Sequence, residues 1–135
     1  MPPKAINHIA IVVEDMDAAL NFWRDALGLP LQKTEDNPTE EVQIAFLPVG
    51  DSEIELLRPT TESSGIAKYL ARKGAGMHHV CVEVEDIEGV MARLRAHGIE
   101  LINDAPKLRP DGVTRYAFVH PKSTQGVLVE LYQVG

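Results

Sequence analysis

The chain repeats itself once. The segment His8-Ile9-Ala10-Ile11-Val12-Val13-Glu14-Asp15-Met16 aligns without a gap on His79-Val80-Cys81-Val82-Glu83-Val84-Glu85-Asp86-Ile87, an offset of 71 residues in a chain of 135. A period of that length, about half the chain, points to two copies of one supersecondary unit. Each copy opens with a strand-like run and continues with helical spacing. Over residues 15–27, Met16, Ala19, Leu20, Trp23 and Leu27 share one face; over 86–97, Ile87, Val90, Met91 and Leu94 do the same. Asp15 and Asp86 are natural N-caps, and Gly28 and Gly98 natural C-terminal stops. Strand patterns follow at 31–34, 42–49 and 53–58 in the first copy and at 100–103, 114–119 and 127–132 in the second, with Ala45-Phe46 answering Ala117-Phe118. The expected unit is β-α-β-β-β, an α+β arrangement. Residues 59–77 connect the copies and include a short helix over 66–72. A half of this size buries too little surface to be stable alone, so the two copies, 4–60 and 76–135, are expected to form one domain.

The repeat also duplicates chemistry. Side chains alternate in a strand, so His8, Ala10 and Val12 share one face while Ile9, Ile11 and Val13 share the other, which covers the helix. His8 therefore lies on the face away from the helix, and the second copy places His79 with Cys81 there. The last strands carry a second matched pair, Glu55 within Ile54-Glu55-Leu56-Leu57 and Glu130 within Val129-Glu130-Leu131. A glutamate in a one-sided sheet can simply face solvent, but a carboxylate buried among aliphatic residues needs a partner or a metal. If the copies pack about a pseudo-two-fold axis, His8, Glu55, His79 and Glu130 converge, and two imidazoles with two carboxylates suit one divalent ion. Other histidines have weaker claims. His78 has the opposite strand parity, His97 lies near a helix C-terminus, and His120 precedes Pro121 at a strand end.

Thirteen Lys+Arg against twenty Asp+Glu give a net charge of -7, the wrong sign for a protein that binds nucleic acid by neutralising phosphates. Lys107, Arg109, Arg115 and Lys122 cluster in the last third, either as a solvated loop or as a site for a small anion. The single cysteine, Cys81, excludes an intrachain disulfide and reads as a buried structural thiol rather than a nucleophile. No apolar run approaches the ~18 residues of a membrane span, and the stretch from Met1-Pro2-Pro3-Lys4 shows no apolar h-region. The chain is expected to be cytoplasmic or to occupy an equivalent reducing compartment.

Five stretches carry a family likeness: 7–13, 45–50, 54–59, Gly76-Met77-His78-His79-Val80, and His120-Pro121-Lys122-Ser123 through 126–131. With them the chain resembles the vicinal oxygen chelate superfamily, and more narrowly is similar to the methylmalonyl-CoA epimerase family along nearly its whole length. The His-Pro-Lys turn is the discriminating element, because related glyoxalase I enzymes tend to have an Asp-Pro-Asp-Gly type turn there. The resemblance implies two paired βαβββ modules forming a mostly antiparallel, cup-shaped sheet with helices outside. It implies His8, Glu55, His79 and Glu130 as ligands of one divalent metal ion, which could be cobalt, manganese, nickel, zinc or magnesium. Some family members have Gln at the place of Glu55; the two-His, two-Glu set here is also the glyoxalase I pattern.

The implied reaction is inversion at C2 of methylmalonyl-CoA through proton abstraction and a metal-stabilised enolate, with a coenzyme A thioester as partner and a homodimer as assembly. Glu130 is the candidate acid-base group on one side of the substrate. The family's second glutamate aligns with Thr39 in Pro38-Thr39-Glu40-Glu41-Val42, leaving Glu40 and Glu41 as alternatives. Lys122 is the first candidate for the coenzyme A phosphates, ahead of Arg109 and Arg115. Two rivals stay open: a glyoxalase I-like lactoylglutathione lyase, and a non-enzymatic sequestering module on the same fold.

Overall fold

The computed structural model describes residues 2–135. The chain divides into two compact units, one of residues 8–78 and one in which the segment ending at Asn7 joins residues 79–135. In the first, β1 (Ala5–Val12) leads through an α-helical turn, α1 (Met16–Leu20), and a π-helical turn (Asn21–Ala26) to β2 (Lys33–Asn37), β3 (Val42–Val49), β4 (Ser52–Pro59) and α2 (Gly65–Lys73). The strands are ordered β2-β3-β4-β1. The β2/β3 and β3/β4 pairs are antiparallel and β1/β4 is parallel, because β1 reaches β4 through a crossover rather than a hairpin. Only Gly50 and Asp51 separate β3 from β4, and Gly50 takes the φ of +58° that a two-residue hairpin demands.

Alternation gives this sheet two apolar faces. Val13, Ala45, Leu47 and Leu56 pack against Met16 and Leu20 of α1 on one side. On the other, Ala10, Val42, Ile44, Phe46 and Leu57 form a second cluster, with Ile66 of α2 against it. The helix of the connection thus touches the face that carries His8, a placement its own amphipathic pattern does not specify.

In the other unit β5 (Gly76–Glu83), α3 (Ile87–Ala96), β6 (Lys107–Leu108), β7 (Arg115–Val119) and β8 (Val129–Gln133) repeat the plan, in the order β5-β8-β7-β6. Again the crossover pair, β5/β8, is parallel and the others are antiparallel. Ile87 and Met91 of α3 are fully covered by Val84, Ala117, Val119 and Leu131. Asp15 and Asp86 cap α1 and α3 by accepting from the amides of Ala18 and Gly89, as their sequence positions predict. The N-terminal segment is fastened to this unit by Asn7, whose side-chain amide donates to Glu83 at 2.8 Å, and by the amide of Lys4, which donates to the Glu83 carbonyl. No helix among the described residues is long and apolar enough to cross a membrane.

Three local expectations need correction, the first being the strand expected over 31–34, which lies at Lys33–Asn37 because its pairing with β3 starts there. The helical face predicted over 15–27 is interrupted: from Asn21 the hydrogen bonds lengthen, with the Leu27 amide reaching the carbonyl of Phe22. One wide turn rotates the stripe, so Trp23 still packs on the core while Leu27 is 54% exposed. The strand expected over 100–103 shrinks to one bridge between Leu101 and Val119, and the paired edge moves to β6. Asn103 causes the break by replacing a backbone acceptor, its side-chain oxygen taking the amide of Phe118 at 2.7 Å.

Candidate functional site

Each unit contains one buried His–Glu pair. In residues 8–78, His8 on β1 is 1% exposed and Glu55 on β4 is 4% exposed. The parallel register sets Ala10 beside Glu55, so the carboxylate reaches back along the sheet, and His8 Nδ1 lies 3.0 Å from Glu55 Oε2. In residues 79–135, His79 on β5 and Glu130 on β8 repeat this. Cys81 pairs with Glu130 in register, and His79 Nε2 lies 3.0 Å from Glu130 Oε1. The pairs match in sequence, strand and distance, but different ring nitrogens face the carboxylate.

Burial makes these pairs informative. Removing a carboxylate from water costs several kcal/mol, and an imidazole satisfies a lone pair without neutralising the anion unless it carries a proton. A borderline divalent ion, with oxygen and imidazole nitrogen as donors, removes that deficit, so the donor set of each pair fits such a metal.

Aromatic rings frame both carboxylates, a feature the repeat already hinted at through Phe46 and Phe118. Phe46 is paired with Glu55 and Phe118 with Glu130. The ring of Phe118 meets His79 edge to face at 5.4 Å, which fixes the imidazole plane. Lys33 places its ammonium 4.9 Å from the centre of the Phe46 ring, and Arg109 lies 6.0 Å from that of Tyr132. Cys81 is completely buried beside Glu130, as expected of a structural thiol.

The basic cluster separates into distinct roles. Lys122 is exposed in a 3₁₀ turn, Pro121–Ser123, with its ammonium 3.6 Å from Glu100. His120 caps that turn, its Nδ1 accepting from the Lys122 amide. Arg115 turns to the helix side and pairs with Glu88 at 3.0 Å. By contrast Lys107 and Arg109 lie against Tyr116 and Tyr132, the rings on the face of Glu130. Strand parity in the second copy would have separated them from Arg115 had the edge strand been placed correctly. Arg109 is held by the loop that follows it. Asp111 accepts from the amides of Val113 and Thr114 and from the Thr114 hydroxyl, and these hydrogen bonds pull its carboxyl down to about 2.

The two glutamates at the β2–β3 turn also differ. Asn37 accepts from the amides of Thr39 and Glu40, which builds the turn and leaves Glu40 exposed at its tip. Glu41 adopts a left-handed φ of +56°, and its carboxylate accepts from the hydroxyls of Thr61 and Ser63 at 2.8 and 3.0 Å. It ties the hairpin to the loop in which Ser64 caps α2. His97 is structural, bonding the carbonyl of Arg93 one turn back.

Residues 7–118 match the sequence profile of the Glyoxalase/Bleomycin resistance protein/Dioxygenase superfamily. The chain belongs to that superfamily. Among its relatives, the ethylmalonyl-CoA/methylmalonyl-CoA epimerase of Cereibacter sphaeroides is 40% identical over 131 residues, covering 96% of this chain and 97% of the relative. The mitochondrial methylmalonyl-CoA epimerase of Mus musculus is 37% identical over 95% of this chain and 72% of its own. A variant of Streptomyces coelicolor methylmalonyl-CoA epimerase, solved in complex with 2-nitronate-propionyl-CoA, superposes with a TM-score of 0.88 at 34% identity, covering 99% of both chains. Within the superfamily, the chain is thus a member of the methylmalonyl-CoA epimerase family. Lactoylglutathione lyase of Haemophilus influenzae is more distant, at 29% identity over 91% of this chain and 97% of its own.

Proposed function

We propose that this chain is a metal-dependent isomerase that inverts C2 of methylmalonyl-CoA, its two halves acting as one domain around a shared site. The observation that carries the reading is the duplicated buried His–Glu pair in a chain 40% identical to an epimerase of that substrate. His8, Glu55, His79 and Glu130 would hold the ion. When bound there, a divalent metal supplies Lewis acidity, drawing charge from the thioester oxygen as the C2 proton leaves.

The remaining work belongs to side chains. A carboxylate takes the proton from C2, the electron pair moves into the thioester carbonyl, and a second acid returns a proton to the opposite face. Inversion therefore needs two groups flanking a planar carbon. Glu130 serves one face, since a ligand binding through one oxygen keeps the other for the proton. The sequence offers Glu40 and Glu41 for the other. Phe46 and Phe118 keep water from the reacting carbon, and Lys122, with Arg109, holds the coenzyme A phosphates. Dimerisation and a cytoplasmic, reducing setting complete the proposal; the lone buried thiol is compatible with the latter.

The test is solvent-deuterium incorporation at C2 of methylmalonyl-CoA, run with the metal-loaded protein and after chelation, beside turnover of the methylglyoxal–glutathione hemithioacetal. Metal-dependent exchange and inversion of the thioester are expected. Turnover of the hemithioacetal alone would establish the lyase reading instead. Absence of stoichiometric metal, with no activity on either substrate, would favour a sequestering module.

A further inference from the structure

The His-Pro-Lys turn between β7 and β8 is held from two sides. Pro121 has no amide hydrogen to satisfy, so the first donor of the turn is the amide of Lys122, and His120 Nδ1 accepts it at 3.0 Å. A ring nitrogen that accepts carries no hydrogen, so the imidazole is held as the neutral tautomer with its hydrogen on Nε2. The turn is also tied to the chain before β7. The amide of Ser123 donates to the His120 carbonyl at 3.0 Å, the Ser123 hydroxyl accepts from the amide of Glu100 at 2.9 Å, and the His120 amide donates to the Glu100 carbonyl at 2.9 Å. Glu100 turns its carboxylate towards the same turn, 3.6 Å from Lys122 Nζ and 4.0 Å from His120 Nε2.

These bonds order the backbone at Lys122 and leave its side chain outside. That side chain is 75% exposed, and an ion pair so exposed is weak, so Glu100 orients the ammonium without withdrawing it from an incoming anion. The chemistry of the cap matters to such an anion. Aspartate is among the commonest caps and would accept the Lys122 amide equally well. Glu100 already balances Lys122, however, and a second carboxylate would make the turn net negative and repel a phosphate. The imidazole makes the same hydrogen bond without adding a charge.

We propose that His120 is a positioning residue for the coenzyme A end of the substrate, a neutral cap that fixes the backbone from which Lys122 meets a phosphate. The assignment deepens the epimerase reading and rests on it. Inversion is measured on methylmalonyl-CoA and on methylmalonyl-pantetheine, which keeps the reacting carbon and the thioester but has no phosphate. Metal-loaded wild type is compared with His120→Ala, His120→Asn, His120→Asp and Lys122→Ala. Freeing the backbone of about one residue corresponds to about a five- to thirtyfold loss of binding, so His120→Ala should raise KM for methylmalonyl-CoA at least about fivefold. Its kcat should stay within about twofold of wild type, and its KM for the pantetheine thioester should not change. Lys122→Ala should show the same split. Asparagine places a neutral acceptor where histidine has Nδ1, so His120→Asn should restore KM; His120→Asp, with the same acceptor but a charge, should not. A KM for methylmalonyl-CoA within about twofold of wild type in either alanine variant would overturn the proposal. So would an equal rise on both substrates, which places the effect away from the phosphates, or equal KM values in His120→Asn and His120→Asp. Calorimetric binding of free coenzyme A reads the same contact without turnover. A wild type that inverts neither thioester therefore refutes the epimerase reading, while the order of Kd values among the variants still decides the role of His120.

Discussion

Replacing Glu130 by Gln should remove most of the protein's stabilisation by metal. In chelator-treated protein the substitution removes a carboxylate that is only 5% exposed and whose neighbour at 3.0 Å is an imidazole, while a polar side chain of the same shape remains. Because the buried charge goes and the shape stays, the metal-free protein is expected to lose less stability here than in a variant that leaves the charge behind. His79→Ala does the reverse, since it strands that carboxylate, and breaking a buried pair in this way costs about 3–5 kcal/mol. For 135 residues, an unfolding entropy of about 2.1 cal/mol/K per residue corresponds to about 0.28 kcal/mol per degree. His79→Ala should therefore melt about 10–18 °C below wild type under chelation. Metal at 100 times its Kd adds about 2.7 kcal/mol to wild type, a rise of about 10 °C, and most of that rise should be absent in Glu130→Gln. Thermal melts followed by circular dichroism, with chelator and with added manganese or cobalt, read all three shifts. Equal metal-induced rises in wild type and Glu130→Gln would refute the assignment of Glu130 as a ligand. No rise in wild type would refute the site.

The Asp111 carboxyl is held at about 2, below its unfolded value near 3.8, so its hydrogen bonds contribute stability above that unfolded value and lose it as pH falls towards 2. The melting temperatures of Asp111→Ala and wild type should differ by a constant amount above pH 5 and draw together as pH falls from 4 to 2, and a gap undiminished at pH 2 would contradict the reasoning. Met91→Ala should cost about 2–5 kcal/mol in urea denaturation, because Met91 is 1% exposed beneath α3. Gly89→Ala should lower stability despite the better helix propensity of alanine, because a Cβ there meets the Asp86 carboxylate that caps α3. A higher denaturation midpoint in that variant would show that the cap yields.

Much of the site was legible because the repeat repeats function with structure. His8 and His79 open equivalent strands and Glu55 and Glu130 lie in equivalent closing strands; parity alone put the histidines on the face away from the helix, and the structure pairs each with its glutamate at 3.0 Å. Both aspartate caps were readable for the same reason, since capping depends on neighbours three residues away. The edges were less legible. β2 reads Lys-Thr-Glu-Asp-Asn, with no apolar alternation to declare an inward side, and β6 has only two residues. Placing the first of these strands at 31–34 missed its register with β3, and placing the other at 100–103 left Arg109 and Arg115 undistinguished.

Hydrophobic periodicity and local capping thus determined by themselves that this chain is two βαβββ copies, and which His and Glu face away from the helices. Tertiary structure decided what depends on hydrogen bonds to residues distant in sequence. The pairing of β2 with β3 sets Lys33 over Phe46, and the hydroxyls of Thr61 and Ser63 engage Glu41. Side chains of an edge strand carry little of the burial energy that writes a pattern into sequence, so their direction is set by the register of the neighbouring strand.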